Sequence, residues 1–143
     1  MVEAIDDLAK TCVEEIVIQI GYSTYEPCFT KWFRFETPAR IQEFISQAEI
    51  VITHGGFGII SECLRKGKRV VACARNAKLG EAVNPQIELV TYLAELNLVI
   101  PLLDFANLEK SIEKARHIPL PNWSFESKIP ELVATFIHTG SSV

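Results

Sequence analysis

The sequence predicts an α/β domain: a doubly wound, mostly parallel sheet with helices on both faces. Three observations carry that expectation. Short apolar runs alternate with helical stretches of about ten residues along the chain, as in parallel sheets with crossover helices. The helical stretches keep their apolar residues on one side at the helical period. One junction, Thr53-His54-Gly55-Gly56-Phe57-Gly58, turns a strand straight into a helix on three glycines within four residues. The 143 residues suffice for a single domain, 1–143, with a sizeable core, and contain neither an internal repeat nor a low-complexity segment.

Met1 to Lys10 reads as a helix with Val2, Ile5, Leu8 and Ala9 on one side. Glu15 to Ile20 reads as a strand ending at Gly21, and Lys31 to Phe35 as a short aromatic strand. Thr37 and Pro38 open a helix as N-cap and first helical residue, with Ile41, Phe44, Ile45 and Ala48 as its apolar face. Glu49 to Thr53 is the strand before the glycine turn. The helix from Phe57 stops at Gly67, after a basic last turn that suits its dipole. Arg69 to Ala74 reads as a buried strand, Arg75 to Pro85 as a polar loop, Gln86 to Leu96 as a helix and Leu98 to Leu102 as the last strand. Asp104 caps a helix carrying Leu108, Ile112 and Ala115. His117 to Ser124 is a Pro-rich connection, a final helix carries Ile129, Leu132, Val133, Phe136 and Ile137, and Gly140 to Val143 form a tail. A doubly wound domain normally has a strand ahead of its first helix. The expectation here is a domain short of its first strand, or a true start upstream.

Composition narrows the function classes. Hydrophobic residues make up 48% and the net charge is −4, with a pI near 5.4. An acidic balance argues against sequence-independent nucleic-acid binding, which needs a basic surface. Cys12, Cys28, Cys63 and Cys73 show no metal-ligand spacing. Cys12, Cys63 and Cys73 fall on apolar faces or strand ends, as small buried hydrophobes suited to a reducing cytoplasm. No apolar run approaches the roughly 20 residues of a membrane span, and no signal peptide is visible.

The glycine turn carries the chemistry. Unpaired amides at a helix start attract anions, above all phosphate. Gly55-Gly56-Phe57-Gly58 does not match the dinucleotide fingerprint, and no acid ends the following strand. It is not a P-loop, since no Gly-Lys-Ser/Thr follows. A tight strand-to-helix turn with no ligand is the open alternative. Glu62, little more than a turn into the helix, can accept hydrogen bonds from a ribose diol or merely favour the dipole. His54 can donate to phosphate or a sugar oxygen, or be a structural strand-end histidine. In the second loop Gln86 can present its amide to sugar hydroxyls. Glu88 lies in the same turn, with a dipole-favoured surface acid as its alternative. Lys78 meets either phosphate or water. Both loops follow strands, so both are expected on the edge where such sheets bind ligands.

The run THGGFGIISECLRKGKRVV, followed by GEAVNPQIELVTYLAELNLVI, resembles the C-terminal domain of glycosyltransferase family 28. It is similar above all to short, free-standing members: the catalytic subunit of the dolichol-linked UDP-GlcNAc transferase and the PssE-type exopolysaccharide subunits. The preceding EIVIQIGYSTYEP resembles the latter. The resemblance implies the Rossmann-like C-terminal half of a GT-B enzyme, a hexosyltransferase that uses a UDP-sugar. It implies that Gly55, Gly56 and Gly58, with Phe57 between them, let the backbone approach the diphosphate. Glu62 would hold the ribose, Gln86, with Glu88 in the same turn, would meet the donor sugar, Arg75 would sit near uracil or phosphate, and His54 would lie beside the reacting centre. It also implies a membrane-anchored partner subunit that supplies the lipid-linked acceptor, and so a cytoplasmic chain peripheral to the membrane.

Three departures accompany the resemblance. Ile59 stands where relatives commonly carry a hydroxyl, Pro85 where His or Gln is common, and the opening strand with its Gly-Thr turn is absent before Met1. The expected reaction is inverting transfer with UDP as leaving group, stabilised by amides and basic side chains. No cofactor and no metal are expected, since no paired-Asp motif is present. His54 is the candidate general base. A non-catalytic nucleotide-sugar-binding module is the rival from another class, and an epimerase half is a third. Tyr22, Tyr25, Phe29, Trp32 and Trp123 are expected to form an exposed apolar docking surface, through which self-association is a further expectation.

Overall fold

The computed structural model describes residues 1–74 and 86–120. Its elements run α1 (Val2–Ala9), β1 (Val17–Gln19), β2 (Lys31–Phe33), α2 (Pro38–Gln47), β3 (Ile50–His54), α3 (Phe57–Arg65), β4 (Arg69–Cys73), α4 (Ile87–Glu95), β5 (Ile100–Leu102), a 3₁₀ turn (Phe105–Asn107) and α5 (Leu108–His117). The expected loop from Arg75 to Pro85, the end of the Pro-rich connection, Trp123 and the final helix lie outside the described residues.

Every described strand pair is parallel, as expected, but the strands form two sheets: β1–β2, and β3–β4–β5. Side-chain alternation along β4 defines two covered faces. Val70 and Ala72 join Ile45 of α2, Ile60, Cys63 and Leu64 of α3, and Val90 and Leu93 of α4 in one core. Val71 joins Ile5 of α1, Leu102 of β5, and Leu108 and Ala115 of α5 in the other. Ile18 and Ile20, from β1 and just beyond it, enter that second core, and Ile50 and Ile52 of β3 pack against it. A strand buried on both faces reads as a continuous apolar run, which is why RVVAC is legible as one.

Local signals account for most element ends. Thr37 accepts from the Arg40 amide and Pro38 opens α2, as their types dictate. Gly67, at φ +65°, ends the α3 segment in the left-handed region. Asn97, at φ +57°, does the same after α4, a stop signal that Asn tolerates better than most residues. Asp104 caps the 3₁₀ turn through the Ala106 amide rather than capping α5 directly. Strand β2 stops at Phe33, two residues short of the expected end. Phe33 stacks on Phe44 of α2, whereas Phe35 pairs edge-on with the exposed Tyr22.

The connection from β1 to β2 contains no helix. Parallel strands are usually joined through one, because a helix satisfies its own backbone groups. Here a buried carboxylate takes over that task. Asp6, fully buried on α1, accepts from the Cys28 amide at 2.9 Å, the Phe29 amide at 2.9 Å, Thr30 Oγ1 at 3.1 Å and Tyr25 Oη at 2.8 Å. Burial pushes the Asp6 pKa up, but the four donors outweigh it and hold the carboxyl below its usual value. The same bond pushes the Tyr25 phenol up to about 12. Tyr25 is therefore a structural residue, not part of an open aromatic surface; among the described residues of that set, Tyr22, Phe29 and Trp32 are exposed.

The cysteines follow their expected usage in part. None of the four forms a disulfide; Cys63 is buried, with burial pushing its thiol up to about 11, whereas Cys28 is exposed. Cys12 is half-buried and donates to Glu14, which also pairs with Arg116 of α5.

Removing the Asp6 carboxylate strands four donors around one buried point. Asp6→Ala is expected to lower stability by about 3 kcal/mol, read as a lower urea midpoint at unchanged slope. Because the folded pKa is depressed, the carboxylate's contribution is complete above the unfolded value near 3.9 and is lost as pH falls through the folded pKa. Acid titrations of stability should therefore fall more steeply below about pH 4 in the parent than in Asp6→Asn.

Candidate functional site

The site is built where β3 and β4 end. His54, the last residue of β3 and half-buried, pairs in register with Cys73, the last of β4. The next amide, Gly55, donates to the Cys73 carbonyl at 2.9 Å and carries the ladder one residue further. The Gly55 amide is therefore used inside the fold. Its lack of a side chain is a packing requirement. A β carbon there would lie 2.8 Å from Val90 Cγ2, 3.0 Å from Gln86 Cβ and 3.3 Å from Ala74 Cα. The opening of α4 is pressed against the turn, and this brings Gln86 beside Gly55 across 30 residues of sequence.

Gly56 is the N-cap of α3, in an extended conformation that any residue adopts. Its carbonyl accepts from the Ile60 amide at 3.3 Å, and no side chain caps the helix. The amides of Phe57, Gly58 and Ile59 have no acceptor among the described residues. No described residue lies within 4 Å of a β carbon built at Gly56 or Gly58, so among the described residues the space before the helix and beside its first turn is open. Ile60, Cys63 and Leu64 are buried and fix the rotation of α3 about its axis.

With that rotation fixed, Glu62 sits on the same side as Gly58, one turn on. Glu62 Oε1 is buried and has no hydrogen-bond partner among the described residues. More than nine-tenths of buried polar groups in proteins find one, so an orphaned carboxylate oxygen demands an explanation. Here it lies one turn from a helix start with three amides that have no acceptor among the described residues. Donors and an acceptor therefore share one flank of α3, an arrangement suited to a ligand that carries an anion at one end and hydroxyls close by.

The remaining expected residues divide. Gln86 is the N-cap of α4 rather than within its first turn, half-buried, and its carbonyl accepts from Val90. Glu88 is exposed in the first turn of α4, where it suits the dipole. Phe57 is the exposed first residue of α3. Arg75 and Lys78 lie outside the described residues. Asp6 escaped sequence reasoning although a signal was present: with Val2, Ile5 and Ala9 it occupies the i, i+3, i+4, i+7 stripe, a charged residue where an apolar one is expected.

The model of the glycosyltransferase family 28 C-terminal domain matches residues 1–128. No curated protein sequence and no solved structure matches the chain. Parallel sheets flanked by helices on both faces accord with the Rossmann-like half of a GT-B enzyme. No helix among the described residues is long and apolar enough to cross a membrane.

The glycines of the turn should separate cleanly by substitution. Gly55→Ala forces a β carbon against Val90 and the α4 start, and is expected to cost about 1–3 kcal/mol. Gly58→Ala meets open space and gains helix propensity, so its stability should match or exceed the parent's by up to about 1 kcal/mol. Thermal melts of the two variants check this ordering.

Proposed function

The chain belongs to the glycosyltransferase family 28 C-terminal domain family, and from that membership we propose that it is the donor-binding half of a UDP-sugar-dependent hexosyltransferase. The observation that carries the reading is the orphaned Glu62 Oε1 one turn from the open α3 start. The pyrophosphate of the donor takes the amides of Phe57, Gly58 and Ile59, and the helix dipole favours its charge. Gly56 and Gly58 leave room for its approach. Two ribose hydroxyls donate to Glu62, which gives the buried oxygen its partner. Gln86, held beside Gly55, contacts the donor sugar, with Glu88 at the rim. Arg75 serves the uracil or phosphate end, and His54 stands beside the reacting centre as the candidate base.

In the reaction so read, the acceptor hydroxyl attacks the anomeric carbon from the face opposite the leaving group. The bond from that carbon to the phosphate oxygen breaks, UDP departs with the electron pair, and the hydroxyl proton passes to the base. Charge developing on the diphosphate is met by preorganised amides. The acceptor is lipid-linked, presented by a membrane-anchored partner subunit in polysaccharide or glycolipid synthesis, and that partner holds the chain at the cytoplasmic surface. The exposed Tyr22, Phe29 and Trp32 support a docking role for the β1–β2 side. A second reading, a nucleotide-sugar-binding module without transfer activity, is favoured by Ile59, which offers its amide but no hydroxyl at the third helical position. Turnover measured with the partner present separates the two.

Thermal shift against UDP, UDP-GlcNAc, UDP-glucuronate and UDP-galactose identifies the donor class, and calorimetry then tests the residues. Glu62→Ala and Gln86→Ala are each expected to weaken binding roughly 10- to 100-fold, the range for hydrogen bonds to charged or buried partners. Glu62→Ala should do so without lowering the melting temperature, because it removes an unsatisfied buried group. Unchanged affinity in both variants removes the site assignment.

A further inference from the structure

We draw no further inference here: the strongest candidate, the apolar groove between β5 and the outer side of α5, lined by Ile100, Lys110, Lys114, His117 and Ile118, carries none, because nothing in the structure shows what covers it.

Discussion

There is no room for a β carbon at Gly55, and the rest of the site depends on that. The turn after β3 has to pass under the start of α4 at backbone distance, with Val90 and Gln86 against it and its amide committed to Cys73. Close approach at one residue fixes three elements at once: the end of β3, the start of α3 and the start of α4. The start of α3 and Gln86, the N-cap of α4, then lie together beyond the ends of β3 and β4. A larger residue at Gly55 would move α4 and separate the two halves of the site.

The second constraint is the buried carboxylate of Asp6. It replaces a crossover helix by accepting from two amides and two hydroxyls of an irregular connection, at the desolvation cost of one buried charge. Asp6 and Glu62 make an instructive pair. Both present carboxylate oxygens to the interior, yet Asp6 is fully satisfied, and one Glu62 oxygen has no partner among the described residues. The satisfied acid holds structure together, and the other is the acid that the proposed function uses. Burial alone does not distinguish these roles; the count of donors does.

The glycines of the turn, grouped as one motif in the sequence, serve different ends in three dimensions. Gly55 answers to internal packing, while at Gly56, the N-cap of α3, and at Gly58 no described residue approaches the β-carbon position.

Local chemistry made much of this legible in advance. Thr37 and Pro38, Gly67, the apolar run of β4 and the strand-to-helix turn are short-range signals, and each sits where its residue types place it. The family resemblance, carried by contiguous motifs, was equally a property of the sequence. What the sequence left undetermined depends on residues far apart along the chain. Gly55 meets Gln86 and Val90 only after α4 docks, Asp6 meets Thr30 only after the crossover folds back, and the parallel runs fall into two sheets because pairing is decided between edges, not within segments. Periodicity fixes which face of an element is apolar; only the assembled fold decides which polar atoms that burial leaves without partners, because satisfaction of a hydrogen bond is a property of two groups brought together.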